Sequence, residues 1–183
     1  VLEQLGRGGM AIVYRARDEV DGREIALKQL VLRGAERDRS TRLQFEREFY
    51  LLAQLSHPSV IEVYDYGLDP EGPYYTMELL DGGDLSARAP LNWRAACELM
   101  IQLCSSLSLL HSRRLVHRDV SPRNVRCTRA GVAKLIDFGA LVPMGAAAES
   151  VGTPGFAAPE VAHHQPIDAR TDLFSLGATL YYA

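Results

Sequence analysis

The feature that most narrows what this chain can become is the stretch Leu115–Gly139, LVHRDVSPRNVRCTRAGVAKLIDFG. It sets Asp119 five residues before Asn124 and then, after an alternating apolar segment that reads as a short hairpin strand, places Asp137 in the triplet Asp137-Phe138-Gly139. Phosphoryl transfer from a nucleotide needs this inventory. One carboxylate accepts the proton of the acceptor hydroxyl, while the second carboxylate and the amide oxygen hold Mg²⁺ against the phosphates. Either half alone occurs by chance in many proteins, so the weight rests on both together in this order.

The N-terminal part supplies complementary pieces. Leu5-Gly6-Arg7-Gly8-Gly9-Met10-Ala11-Ile12-Val13 sets glycines between two strand-like segments, where a backbone without Cβ can approach phosphates closely. Ala26-Leu27-Lys28 lies on the next strand. A helix follows, with Ser40 as its expected cap and Phe45, Phe49 and Leu52 as its inward stripe. Glu48 borders that stripe and gives Lys28 a carboxylate partner, whereas Glu46 points to solvent. His57-Pro58 is expected to end the helix, because a residue before proline is pushed out of the α region. Val60–Tyr66 and Tyr74–Glu78 read as two more strands, with residues 67–72 as their turn. Further on, Asn92 caps a helix running to about His111, with Ala96, Leu99, Met100, Leu103, Leu107 and Leu110 on one face as core packing.

The glycine loop, strand lysine, helix glutamate, Asp119–Asn124 loop, Asp137 triplet and the closing Ala158-Pro159-Glu160 stand in the order of the protein kinases. The chain resembles that family over essentially its whole length. The wording Gly-Arg-Gly-Gly-Met-Ala-x-Val-Tyr and His-Arg-Asp-Val-Ser-Pro-Arg-Asn is similar to the bacterial eukaryotic-like (Hanks-type) serine/threonine kinases. The resemblance implies an α+β bilobal fold. Residues 1–80 would form an N-lobe with a five-stranded antiparallel sheet and one helix, and residues 81–183 a mainly helical C-lobe incomplete at its C-terminus. It implies ATP and Mg²⁺ as cofactors, and transfer of the ATP γ-phosphoryl group to a protein serine or threonine. Asp119 would be the base, with Lys28, Glu48 and Asn124 completing the catalytic set and Asn124 and Asp137 holding the metal. Leu5, Gly6, Gly8, Gly9, Val13, Ala26 and Lys28 would surround the nucleotide, and Met77 would be the gatekeeper. The backbone of Glu78-Leu79-Leu80 would bond adenine, and Asp84 would meet the ribose. His117 would pack behind the loop, and Asp172 would brace the loop backbone. Thr153 would bond Asp119, while Ser150 is the expected phosphorylation site, paired once modified with Arg118.

Two departures from the family pattern stand out. Ser121 occupies the position two after Asp119 where serine/threonine kinases carry lysine, and Arg123 is the residue that would restore the missing charge, as in tyrosine kinases. Arg126, two after Asn124, stands where the family puts an apolar residue under adenine, so weakened ATP binding or a shifted strand register follows as an expectation. The chain opens at Val1 inside a strand and stops at Ala183 inside a helix, so flanking residues are expected on both sides. A family arginine that pairs with the Glu160 position falls beyond Ala183. A buried, uncompensated Glu160 is therefore expected, with poor solubility and inactivity of the 183 residues alone.

Composition sets the outer limits. With 183 residues, 47% hydrophobic, and a formal net charge of −3, the chain can bury a core, and nothing in its charge argues for a nucleic-acid polymer or an anionic membrane as partner. No apolar run of about 18 residues and no signal segment occur, so a cytoplasmic domain is expected, with membrane anchoring of a longer chain left open. Cys97, Cys104 and Cys127 form no CxxC; Cys97 and Cys104 lie two helical turns apart, a rise of roughly 10 Å, so reduced buried thiols are expected. The partners implied are a nucleotide and a protein substrate. A pseudokinase scaffold and a tyrosine-specific kinase are the alternatives left open. The lack of GxxxxGK[ST] argues against a P-loop NTPase.

Overall fold

The computed structural model describes residues 1–8, 10–31, 35–147 and 152–183, with backbone alone for 35–38. The chain divides into two compact units, Val1–Ser56 with Ile61–Leu79 and His57–Val60 with Leu80–Ala183. The segment His57–Val60 thus belongs to the second unit, although the sequence places it among residues of the first.

The first unit carries a five-stranded antiparallel sheet of β1 (Glu3–Arg7), β2 (Ala11–Arg17), β3 (Glu24–Leu30), β4 (Val63–Asp69) and β5 (Gly72–Glu78), in the order β1-β2-β3-β5-β4. One helix, α1 (Ala35–Ala53), lies against it. Residues paired across a ladder project from the same face. Lys28 pairs with both Val13 and Tyr75, and Ala26 pairs with Met77, so all five side chains share one face. Leu30 and Tyr75 on that face bury Phe45 and Phe49 of α1, with the Phe45 and Tyr75 ring centroids 5.0 Å apart. Each fully buried side chain of this size contributes about 1.5–3 kcal/mol.

Three local expectations are corrected here. Ser40 is not the cap of α1, because the helix-forming run that begins at Ala35 extends it a turn and more upstream. The helix ends at Ala53, before His57-Pro58, so the proline is not its terminator. The β4–β5 turn is shorter than residues 67–72. Asp69 Oδ1 accepts from the N–H groups of Glu71 and Gly72 at 2.8 and 2.9 Å, closing a tight turn there. Gly67 is a strand residue opposite Tyr74, and a Cβ on it would come within 2.5 Å of the Tyr74 ring.

The second unit contains α2 (Leu85–Arg88), α3 (Trp93–Ser112), β6 (Leu115–Val116), β7 (Val125–Cys127), β8 (Ala133–Leu135), β9 (Val142–Pro143), α4 (Pro159–Ala162) and α5 (Ala169–Tyr182). Asn92 caps α3 by accepting from the Ala95 N–H at 3.0 Å. The whole apolar stripe from Ala96 to Leu110 is buried. β6 pairs with β9, and β7 with β8. Two further corrections concern surface and burial. Cys97 and Cys104 are exposed on α3 and only Cys127 is buried, since the two helix cysteines fall outside the apolar stripe. Glu160 is half-buried rather than buried, and its Oε1 accepts from the Thr171 hydroxyl at 2.7 Å, so it is not left without a donor.

Candidate active site

In the first unit, the β2–β3 register and α1 bring Lys28 and Glu48 together. Lys28 Nζ donates to Glu48 Oε1 at 2.9 Å and Oε2 at 3.2 Å, with the two side chains 15% and 5% exposed. The Tyr75 hydroxyl donates to the same Oε1 at 3.1 Å. Sequence reasoning missed Tyr75. The signal was available only through strand register, since Tyr75 faces Lys28 across β3–β5. Val13, Ala26 and Met77 lie on this same face, while Leu5 sits at the bulge where the β1–β2 register shifts. A Cβ on Gly6 would meet nothing within 4 Å, and one on Gly8 only the Ala11 carbonyl at 3.7 Å. Among the described residues, no close contact would exclude a Cβ at either position. Gly9 lies outside the described residues. The Glu78 carboxylate accepts from the Glu62 N–H at 2.8 Å, and the Glu78 N–H donates to the Glu62 carbonyl at 3.0 Å.

In the second unit, Asp119, Asn124 and Thr153 converge. Asp119 Oδ1 accepts from the Thr153 N–H at 2.8 Å and from its hydroxyl at 2.7 Å. Asp119 Oδ2 accepts from Asn124 Nδ2 at 2.7 Å, and the same amide donates to the Asp119 carbonyl at 2.9 Å. These bonds fix the Asn124 amide with its Oδ1 directed away, and among the described residues that oxygen accepts nothing. The Ile136 N–H donates to the Asn124 carbonyl at 2.9 Å, which sets the exposed Asp137 beside Asn124. Asp137 holds φ +61° and Arg118 φ +68°, a region that costs a non-glycine residue of order 1–3 kcal/mol and persists only where the surroundings enforce it.

Asp172, wholly buried in the first turn of α5, enforces it for the loop. Its carboxylate accepts from the N–H groups of His117 and Arg118, both at 2.9 Å, and lies 2.8 Å from His111 Nε2. His111 is a second missed residue; on α3 it is spaced like any helix-end histidine. His117 is buried, edge-on to Phe138 at 4.7 Å, and its Nδ1 accepts from the Asp119 N–H at 3.3 Å. Arg118 Nε donates to the Ala140 carbonyl at 2.5 Å, so the guanidinium is already engaged within its own unit. Ser150 lies outside the described residues.

Thr153 reaches Asp119 because Gly152 precedes it. Gly152 has φ +119°, and a Cβ there would sit 3.0 Å from the Arg118 carbonyl. Ser121 is buried with its hydroxyl 3.3 Å from that of Thr153, while Arg123 is exposed. Asp84 caps α2 by accepting from the Ala87 N–H at 3.0 Å and from the Ser86 hydroxyl at 2.5 Å, a commitment the sequence reading had not assigned. Leu80 is buried in the same unit. The register of β7–β8 pairs Arg126 with Lys134, and Arg126 Nε is buried without a partner.

Among the described residues, no group of three or more His, Cys, Asp or Glu side chains is placed to hold a metal. One amide oxygen and one exposed carboxylate fit a magnesium ion that keeps water and phosphate oxygens as most of its shell. Among the described residues, no helix is long and apolar enough to cross a membrane.

The protein kinase domain family matches residues 1–183, and the chain belongs to that family. Its members use ATP and Mg²⁺ to phosphorylate proteins. The chain is similar to the DNA damage-responsive serine/threonine-protein kinase RqkA of Deinococcus radiodurans, with 40% identity over 99% of this chain and 29% of the relative. It is similar to serine/threonine-protein kinase PknB of Mycolicibacterium smegmatis, with 38% identity over 98% of this chain and 31% of the relative. A probable serine/threonine-protein kinase of Streptomyces coelicolor shares 40% identity over 97% of this chain and 28% of its own. The chain thus spans under a third of the length of these relatives.

Proposed function

We propose that this chain performs ATP-dependent phosphorylation of serine or threonine hydroxyls on a protein substrate in the cytoplasm. The observation that carries the reading is the hydrogen-bonded state of Asp119. Thr153 occupies Oδ1 twice, and Asn124 takes one site on Oδ2. One acceptor site remains on Oδ2, and there the acceptor hydroxyl is oriented and its proton received. Lys28, ion-paired with Glu48, is assigned to the α- and β-phosphates, and Asn124 Oδ1 and Asp137 to magnesium. Bound magnesium neutralises the charge that develops on the phosphates. The glycine loop covers the triphosphate, Val13, Ala26 and Met77 line the adenine side, and the 78–80 backbone bonds the base. With Ser121 in place of lysine, the exposed Arg123 is the residue assigned to the transferring phosphate. Ser150 is the assigned phosphorylation site.

Thr153 supports hydroxyl-side specificity for serine and threonine, because it bonds the base directly. The test is transfer of radiolabel from [γ-³²P]ATP with Mg²⁺ to a protein acceptor, followed by phosphoamino-acid analysis. Phosphoserine or phosphothreonine is expected in the wild type and neither in Asp119→Ala; phosphotyrosine alone, or label that survives Asp119→Ala, overturns the reading.

A further inference from the structure

Ser121 stands where the family pattern has lysine, and the proposed function gives its side chain no task. It occupies the N-cap position of the single 3₁₀ turn Pro122–Asn124 with an extended backbone, φ −147° and ψ 162°, yet its side chain caps nothing. A serine so placed ordinarily turns its oxygen to a free N–H of the turn. Here the proline has no N–H to offer, and the Asn124 N–H is taken by the Ser121 carbonyl at 3.0 Å. The hydroxyl is released for another use. Ser121 is fully buried, so that hydroxyl needs a partner. Among the described residues the partner is the Thr153 hydroxyl, 3.3 Å away.

The protons set the direction of the link. A hydroxyl carries only one, and Thr153 gives its own to Asp119 Oδ1 at 2.7 Å, the shorter contact and the one assisted by charge. The proton between the two hydroxyls therefore comes from Ser121, and Thr153 Oγ1 accepts it. A chain of hydrogen bonds runs from Ser121 through Thr153 to Asp119.

The backbone and the side chain of Thr153 are held by different means. Gly152, at φ +119° and with its Cβ position 3.0 Å from the Arg118 carbonyl, delivers the Thr153 N–H to Oδ1. That bond is indifferent to χ1. The hydroxyl bond is not, since Thr153 is only half-buried and rotation about χ1 carries Oγ1 off the carboxylate. A buried donor aimed at Oγ1 favours the rotamer that serves both bonds. We infer that Ser121 is a positioning residue for phosphoryl transfer: its hydroxyl locks the Thr153 side chain onto Oδ1 of Asp119, so that Oδ2 stays turned to the acceptor. This rests on the reading of Asp119 as the base. It differs from the task of the family's lysine, whose charge meets the phosphate. Because the bonds end on Asp119, their loss belongs to kcat and not to the KM for ATP.

The test is steady-state kinetics of the intact protein with Mg-ATP and dephosphorylated casein as acceptor, on wild type, Ser121→Ala, Thr153→Val and the double variant. At 3.3 Å the bond is long for two hydroxyls. Ser121→Ala is therefore expected to lower kcat by about threefold, the lower part of what a neutral hydrogen bond contributes, with the KM for ATP unchanged. In the Thr153→Val background the same change is expected to cost nothing more, because the accepting oxygen is gone. Ser121→Cys keeps the shape and donates weakly; it carries the same expectation should Ser121→Ala not fold. An unchanged kcat, a loss confined to the KM for ATP, or losses that multiply in the double variant, as for a merely structural serine, overturns the assignment. Wild-type turnover that Asp119→Ala abolishes keeps the phosphotransfer reading in each of those cases; a wild type that transfers to neither casein nor itself removes both.

Discussion

Asp119 accepts three hydrogen bonds from two residues, and that arrangement joins its catalytic value to a structural one. Asp119→Ala and Asp137→Ala are both expected to abolish radiolabel transfer; the exposed Asp137 should go with little loss of thermal midpoint, whereas Asp119→Ala should lower it, because Thr153 and Asn124 lose their acceptor. The Lys28–Glu48 pair behaves differently. Glu48→Ala leaves the Lys28 ammonium, 15% exposed, and the Tyr75 hydroxyl without their carboxylate. A loss of about 3 kcal/mol in denaturant unfolding is expected with the loss of turnover, as for one partner removed from a buried pair; an unchanged unfolding midpoint would show the pair to be energetically idle. Thiol chemistry gives a third check. Native alkylation is expected to label Cys97 and Cys104 at once and Cys127 only after unfolding, read by mass spectrometry. The Asp119, Asn124 and Asp137 set was legible in the sequence because short-range spacing carries it. Tyr75 and His111 were not, since each meets its partner only through strand register or helix docking over 27 and 61 residues.

Among the elements, α5 does the most to shape the loop that holds Asp119. Asp172→Ala removes the acceptor of two buried backbone N–H groups, each costing about 1–3 kcal/mol when unmet, so turnover and stability should fall together. Asp172→Asn with wild-type stability would contradict this. The start of the same helix is capped by Asp168, whose carboxyl is lowered from its ordinary 3.8 to about 2, first by the Arg170 side chain and then by its backbone N–H. A lowered carboxyl stabilises the fold above its unfolded value, and that contribution fades as pH falls from 3.8 towards 2. Asp168→Ala is therefore expected to cost about 1 kcal/mol at neutral pH, as for a lost N-cap, and the gap to wild type should close over that acid range. The apolar stripe of α3 and its Asn92 cap were legible from periodicity. The start of α1 was not. Ser40 is a good cap by residue type, yet the residues from Ala35 onward sustain the helix and outweigh it.

At the scale of the whole molecule, each unit has its own core, with α1 on the sheet in the first and the α3 stripe in the second. α5 exposes Leu173, Phe174, Leu180, Tyr181 and Tyr182. An apolar face of this kind favours association, and the 183-residue chain by itself is expected to self-associate with concentration in sedimentation velocity; a sharp monomer at all concentrations would refute this. What the sequence determined alone was the family and the strand-helix-strand order, because spacing along the chain and the period of apolar residues are local properties. Tertiary structure decided the rest. The Tyr75 bond to Glu48, the engagement of Arg118, the donor to Glu160 and the orphaned Nε of Arg126 depend on which distant backbone lies alongside, and register and burial, unlike residue type, exist only once the chain has closed on itself.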